Sequence, residues 1–137
     1  MWPNAVEEVL RLDAPVQMTS RTAACDVELA GHHIAAHQTV ALLLGGANRD
    51  PDVFAEPDTF DITRANAKDH LSFSSGVHAC LGASLARMEA TIALRALFDR
   101  FPAPQLDGTP TPRVLATLRG FSHVPAKLRA GAPCPPA

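Results

Sequence analysis

Residues 73–82 read Phe73-Ser74-Ser75-Gly76-Val77-His78-Ala79-Cys80-Leu81-Gly82. The cysteine stands between two glycines, immediately before the strongest helical pattern of the chain. A helix N-terminus carries unpaired amides and the positive end of the helix dipole, so this position suits a thiolate, the form of cysteine that binds metal or attacks a substrate. Gly76 frees the backbone to turn, and Gly82 lacks a Cβ, so a flat ligand can approach closely.

Four interpretations of Cys80 compete. A lone cysteine is by default a buried structural residue. A phosphatase-type nucleophile needs an arginine six residues later, whereas Arg87 follows by seven, so we set it aside. A single axial thiolate to haem iron needs only one protein ligand. A zinc site is weak because the chain has no Cys-x-x-Cys pair, and it would draw on Cys80, His78 and His70, or on His33 and His37.

The composition bounds the class of protein. The chain has 137 residues, 12 basic and 14 acidic, and 47% of them are apolar, which fits one domain with a core. The near-neutral charge predicts no nucleic-acid partner. The longest apolar run, residues 40–44, is too short for a membrane span, and we expect no secretory signal, because the first residues lack the charged and apolar pattern of a leader. Three cysteines argue against a disulfide framework, so we expect a cytoplasmic protein.

The first half of the chain changes from helical to extended patterns. Residues 2–11 predict a helix, because Pro3 suits a first turn and apolar residues follow at helical spacing. Residues 17–40 predict a β-hairpin region that turns at Ala30-Gly31 and carries Ile34, Thr39 and Val40 along its second strand. Residues 45–72 predict a meander, with a short helix that Asp50 caps and Pro57 closes.

The second half is organised around one long helix. Residues 82–101 predict this helix, with Leu85, Met88 and Ile92 at helical steps. Because it is apolar on most sides, we expect it to be buried inside a larger body. Residues 102–137 form a proline-rich tail with short strands between Val114 and Val124, and we expect fraying from Gly131 onward.

The cysteine loop resembles a known signature. Its pattern Phe-x-x-Gly-x-x-x-Cys-x-Gly is similar to the haem-binding motif of the cytochrome P-450 family, and His78 and Leu81 match the bacterial form. Three further matches follow the family's order: the Glu-x-x-Arg helix at Glu8 and Arg11, an arginine at Arg21, and the segment Asn48-Arg49-Asp50-Pro51 with Phe54, Pro57, Phe60 and Arg64. The resemblance implies the C-terminal portion of a cytochrome P-450 fold, mainly α with small β-sheets.

The resemblance also implies a role for each matched residue. Cys80 would be the axial thiolate of haem b, and Arg21 and His78 would bind the haem propionates, because cationic donors suit carboxylates. Phe73 would pack beside the sulfur, and Gly76 and Gly82 would shape the loop. Glu8 would pair with Arg11 and Arg64 as a buried structural trio, instead of the weak exposed ion pair that is usual at this spacing. Arg87 would help to dock an acidic electron donor.

Two positions depart from the family pattern. Ser74 stands where the bacterial loop usually has glycine, so we expect a slightly stiffer loop. His37 stands where a turn glycine is common, which weakens the prediction of that turn. Neither residue is a ligand.

The implied function is that of a haem-thiolate monooxygenase, which inserts one oxygen atom of O₂ into a small organic substrate with electrons from a ferredoxin-like donor and its reductase. In the family, an oxygen-side helix with an acid–alcohol pair precedes the Glu-x-x-Arg helix, so we count a missing N-terminal chain among the expected partners. The alternative is a truncated remnant or haem-binding module without activity of its own. We expect the chain alone to fold poorly, because the long helix lacks partners.

Overall fold

The computed structural model describes residues 1–129, which form a partial mixed fold of helices and small antiparallel sheets. The expected fold class, helices with small β-sheets, is confirmed. The predicted frayed end from Gly131 and the third cysteine, Cys134, lie outside the described residues. The helices are α1 (Trp2–Leu12), α2 (Leu44–Ala47) and α3 (Ala83–Arg100), with short 3₁₀ helices at Ala67–Asp69 and Gly76–His78.

Each sheet pairs two strands. The pairs are β1 (Thr19–Thr22) with β4 (Thr39–Leu42), β2 (Val27–Leu29) with β3 (His32–Ile34), β5 (Gln105–Leu106) with β8 (Ala126–Lys127), and β6 (Thr111–Pro112) with β7 (Phe121–His123). Val16 and Leu118 form an isolated bridge, and the Gln17 amide donates to the Thr117 carbonyl at 2.9 Å. These bonds attach the segment after α1 to the tail.

The prediction that Thr39 and Val40 continue the second strand of the hairpin was wrong. The hairpin β2–β3 turns at Ala30 and Gly31, whose φ angles of 50° and 77° suit a tight turn between twisted strands. A second turn then follows, in which His37 adopts a φ of 68°. This turn separates β3 from β4, and β4 pairs with β1 instead.

The predicted helix between Asp50 and Pro57 was also wrong. The Asp50 carboxylate accepts a hydrogen bond from the Asp52 amide at 3.0 Å, and the Asp50 backbone carbonyl accepts one from the Phe54 amide at 2.8 Å. That single turn does not propagate, because Glu56 adopts a φ of 47° just before the proline. The helix of this region, α2, lies before Asp50.

The core lies where α1 meets the meander. Its buried apolar residues are Ala5, Val6, Ala14, Leu44, Phe54 and Ala67. Helix α3 contacts α1 through the rings of Trp2 and Phe98, whose centroids are 5.3 Å apart.

Within residues 1–129, α3 has no buried residue, which agrees with the expectation that the long helix lacks partners in this chain, and its burial inside a larger body stays a prediction. Leu85, Met88 and Ile92 are each more than half exposed, since no element within residues 1–129 covers that face. No helix in this part of the chain combines the length and apolar character that crossing a membrane requires.

Candidate functional site

The cysteine loop is closed by its own backbone. The Cys80 amide donates to the Phe73 carbonyl at 2.9 Å, and the Cys80 carbonyl accepts the Ala83 amide at 3.2 Å, which joins the loop to the start of α3. Between these ends the chain turns sharply, and Ser74 and Gly76 adopt φ angles of 59° and 62°. The loop presents Cys80 as an exposed free cysteine, so the buried structural interpretation is wrong.

The loop forms one wall of an open cleft of about 460 Å³. Four of the predicted ligand-binding residues, Arg21, Phe73, His78 and Cys80, line this cleft together. Most of the remaining lining is apolar and comes from the end of α1, the segment before β1, and α2. The remaining lining residues are Leu10, Pro15, Val16, Thr19, Leu44, Ser72 and Ser74.

The cleft contains cationic donors that the protein leaves available. Arg21 is half-buried on β1, and its Nη1 donates to the Ser20 carbonyl at 2.8 Å and to the Thr19 hydroxyl at 3.4 Å. Its Nε and Nη2 have no acceptor within residues 1–129. His78 is exposed at the end of the loop's 3₁₀ helix. A carboxylate entering the cleft therefore meets unused guanidinium donors.

The two loop glycines differ in what the protein requires of them. Gly76 has open space around the position of a Cβ, so its left-handed φ is what favours glycine there. A Cβ on Gly82 would lie 3.9 Å from Cys80 Sγ, which is ordinary contact. The protein itself therefore tolerates a side chain at Gly82, and close approach of a flat ligand there stays a prediction.

The structure brings Glu8, Arg11 and Arg64 together in the core. Arg11 Nε and Nη2 donate to the two Glu8 oxygens at 2.7 and 2.9 Å, and Arg64 Nε donates to Glu8 Oε1 at 3.2 Å. Glu8 and Arg11 are completely buried, and Arg64 is 8% exposed. The remaining Arg11 donors reach backbone carbonyls of the meander, so all five guanidinium N–H groups are satisfied, by Glu8, Asn48, Pro57 and Thr59.

The Glu8 carboxylate is held in its charged form. Burial by itself raises the pKa of Glu8, but the hydrogen bonds from Arg11, the Asp61 amide and Arg64 outweigh it. The pKa of Glu8 therefore lies below its ordinary value of 4.5. The hydrogen bonds to the buried Glu8 carboxylate therefore attach α1 to the segment 57–64.

Sequence reasoning missed a second polar cluster beside the cysteine loop. Arg87 Nε and Nη2 donate to the two oxygens of Glu7 at 2.7 and 3.1 Å, and His70 Nε2 lies 3.1 Å from Glu7 Oε2. Arg87 was expected to face an acidic electron donor, whereas its charge is paired with Glu7 of α1. Glu7 is adjacent to the matched Glu8, but no local pattern links it to residues more than 60 positions away.

The structure does not bring the ligands of the alternative zinc site together. His70 is bound to Glu7 and to the Ser72 amide, and His33 Nδ1 lies 2.9 Å from the exposed Glu28 carboxylate. His37 occupies the turn before β4. Within residues 1–129, no three His, Cys, Asp or Glu side chains converge as a metal site would require.

A further buried pair, Asn48 and Ser72, fixes the segment that leads into the loop. Asn48 Nδ2 donates to the Ser72 hydroxyl at 2.8 Å, and Asn48 Oδ1 accepts the Leu71 amide at 2.7 Å. The Ser72 hydroxyl in turn donates to the Leu10 carbonyl at 2.6 Å. The family pattern identifies the segment Asn48-Arg49-Asp50-Pro51, but the sequence carries no signal that Asn48 fixes the start of the loop.

Comparison with known proteins places this geometry in a family. The Cytochrome P450 family model matches residues 2–129. The chain is 52% identical over 128 residues to a Mycobacterium tuberculosis protein described as putative cytochrome P450 140, covering 93% of this chain and 29% of that protein. It is 48% identical over 130 residues to 6-deoxyerythronolide B hydroxylase of Saccharopolyspora erythraea, covering 92% and 32%.

The fold agrees with solved structures as well. The structure of P450BioI in complex with an acyl carrier protein carrying hexadec-9Z-enoic acid superposes with a TM-score of 0.90 at 45% identity. The match covers 93% of this chain and 33% of that one. The chain thus spans about a third of the length of the proteins it matches. On the family match and the shared fold, the chain belongs to the cytochrome P450 family.

Proposed function

We propose that this chain is the C-terminal, haem-ligating portion of a bacterial-type haem-thiolate monooxygenase, with the Cys80 thiolate as the axial ligand of haem b. The observation that carries the proposal is the single cleft that Cys80, Arg21, His78 and Phe73 line together. The family implies haem with a cysteine ligand. A relative named as a hydroxylase supports insertion of one oxygen atom from O₂ into a small organic substrate.

The residues of the cleft suit haem. Its largely apolar lining fits a flat macrocycle, and the exposed Cys80 thiol is accessible to iron. The unused donors of Arg21, together with His78, suit two propionates. Haem, when bound, supplies the oxygen chemistry.

The other matched residues hold the site in place. Once haem is bound, Phe73 would limit the access of water to the sulfur, and Gly76 and Gly82 would give the loop its shape. The trio of Glu8, Arg11 and Arg64 braces α1 against the meander, so that the loop and the first strand face one cleft.

The monooxygenase activity also requires partner proteins. Because the chain spans about a third of its relatives, we propose that an N-terminal polypeptide completes the oxygen side of the haem and the substrate pocket. A ferredoxin-like donor and its reductase would supply the electrons, and we place the protein in the cytoplasm.

A second candidate function is a remnant or haem-binding module that catalyses nothing by itself. The exposed apolar face of α3, in a chain of this length, favours it for the isolated polypeptide. Monooxygenase turnover by the purified chain with an electron donor would exclude this candidate. Turnover only after addition of a complementing N-terminal polypeptide would support the split arrangement.

The direct test is a haem titration of the purified chain, monitored by absorbance. We expect saturable binding with one haem per chain in the wild type. Loss of the iron ligand in Cys80→Ala should weaken the affinity about tenfold or more. Cys25→Ala is the matched control, because Cys25 is also an exposed free cysteine but lies outside the cleft. Equal binding by both variants would contradict the proposal.

A further inference from the structure

Three side chains from three parts of the chain meet beside the ring of Phe73. They are Glu7 of α1, His70 before the loop, and Arg87 of α3, and together they are called the clamp. The His70 side chain is completely buried, and the Glu7 side chain is 14% exposed. The Arg87 side chain is 37% exposed, so water partly screens its ion pair with Glu7, and the three segments are held mainly by the buried His70 contact and by the two hydrogen bonds from Arg87 to Glu7.

The hydrogen bonds of His70 define its proton. The Ser72 amide donates to His70 Nδ1 at 3.1 Å, so Nδ1 is an acceptor and carries no hydrogen. The proton is therefore on Nε2, which donates to Glu7 Oε2 at 3.1 Å. Burial lowers the pKa of His70 most strongly, Glu7 raises it and Arg87 lowers it, with a net pKa below 6.5. His70 is neutral at pH 7, and a second proton would remove the acceptor that Ser72 uses.

The clamp contacts the loop through one residue. The guanidinium carbon of Arg87 lies 4.6 Å from the centroid of the Phe73 ring, and the His70 ring centroid lies 5.9 Å from it. The backbone carbonyl of Phe73 accepts the Cys80 amide at 2.9 Å. The ring and the carbonyl of the same residue thus join the clamp to the cysteine.

We propose that the clamp positions the Cys80 loop by fixing Phe73, with Glu7 as the group that holds the other two members together. The positioning role stands on the contacts alone. Its consequence, an orientation of the sulfur suited to iron, rests on the proposed function. Glu7, His70 and Arg87 are positioning residues, because none of them lines the cleft.

The test is amide hydrogen exchange of the full chain by NMR at about 15 °C, where stability is typically greatest. We expect Glu7→Gln and His70→Ala each to lower the protection factor of the Cys80 amide about tenfold or more, because a buried hydrogen bond to a charged group is lost. The Ala23 amide, which donates to the Gln38 carbonyl at 2.9 Å, is the remote reference and should keep its protection. Glu89→Gln, at an exposed carboxylate on α3, is the matched control.

A pH series separates positioning from general stability. In the wild type, protection at Cys80 should fall as the pH drops from about 7.5 to about 5.5, as His70 gains its second proton. His70→Gln keeps a donor toward Glu7 but cannot titrate, so its protection should be retained and flat over that range.

Three results would overturn the proposal. They are unchanged Cys80 protection in Glu7→Gln and His70→Ala, an equal loss at Ala23, or no measurable protection at Cys80 in the wild type. A chain that shows the expected exchange pattern yet binds no haem would overturn the proposed function and leave the positioning role intact.

Discussion

The two long helices of this chain are stabilised in opposite ways. Helix α1 buries Glu8 and Arg11 completely and packs against the meander. Helix α3 has 18 residues and buries none of them, although its exposed residues include Leu85, Met88 and Ile92. The buried face of α1 thus includes a charged pair, whereas large apolar side chains of α3 are exposed, the reverse of what side-chain polarity alone predicts.

The difference shows what the chain can build by itself. The buried charges of α1 are satisfied within residues 1–129: Glu8 accepts hydrogen bonds from Arg11, Arg64 and the Asp61 amide, and the remaining Arg11 donors reach backbone carbonyls of the meander. The apolar face of α3 needs a surface that these residues do not provide. The bracing trio and the cysteine loop are therefore complete here, whereas the covering of the long helix is not.

The largest effect should come from breaking the buried trio. Removal of Arg11 takes two donors from the buried Glu8 carboxylate and leaves three backbone carbonyls of the meander without this donor, and breaking a buried ion pair costs about 3–5 kcal/mol. We expect Arg11→Ala to lose this much free energy of unfolding, measured by urea denaturation with circular dichroism. Arg95→Ala is the control, because Arg95 pairs with Asp99 at 3.6 Å on the surface and should cost less than about 1 kcal/mol. Similar losses in both variants would contradict the comparison.

Truncation of one apolar residue in each helix sharpens the contrast. Val6 on α1 is 3% exposed, and Val6→Ala should cost about 2 kcal/mol through lost burial. Ile92 on α3 is 62% exposed, and Ile92→Ala should change stability by less than about 0.5 kcal/mol although it removes more atoms. It should also reduce self-association, measured by sedimentation velocity. A larger loss for Ile92→Ala would show that the α3 face is covered in solution.

Acid should weaken the side of the molecule that contains the clamp. Because the pKa of folded His70 lies below 6.5, the unfolded chain binds the proton more readily than the folded chain. The stability from neutral His70 is fully present above pH 6.5 and is lost as the pH falls toward the folded pKa. Urea midpoints measured between pH 8 and pH 5, at intervals of about half a unit, should fall in the wild type and less in His70→Gln. Parallel curves would contradict this assignment.

The smallest effect should come from the loop backbone. Ser74 adopts a φ of 59°, which costs a residue with a Cβ about 1 kcal/mol, so Ser74→Gly should stabilise the chain by up to about 1 kcal/mol. Ser75, with a φ of −151°, is extended, and Ser75→Gly should destabilise by a similar amount. Urea denaturation of both variants measures the difference. A loss of stability in Ser74→Gly would show that the backbone at Ser74 is not strained.

Local patterns predicted much of the site because its signals are short. The spacing of Glu8 and Arg11 places both on one helix face, and the loop residues from Phe73 to Gly82 are contiguous. Two of the four non-glycine residues that adopt a positive φ within residues 1–129, Ser74 and His37, are the positions flagged as replacements of glycine. These inferences needed no knowledge of the tertiary fold beyond the family resemblance.

The rest depends on pairing across long separations. The Glu7–Arg87 pair joins residues 80 positions apart, and neither has a local partner that identifies it. The turn at His37 causes β4 to pair with β1 and not to extend β3 of the hairpin. The alternating sequence pattern of a strand is the same in both arrangements, so it does not distinguish them. The exposure of α3 depends on which other surfaces are present, and helical periodicity carries no such information.

The central claim is that Cys80 ligates haem iron, and the absorption spectrum of the reduced, carbon-monoxide-bound chain tests it most directly. We compare the wild type with Cys80→His, which keeps a metal ligand at the same position but replaces sulfur by nitrogen. A strongly red-shifted Soret band in the wild type that is lost in Cys80→His, while haem remains bound, is the predicted result. A wild-type spectrum without the red shift, or one identical to that of Cys80→His, would contradict the account.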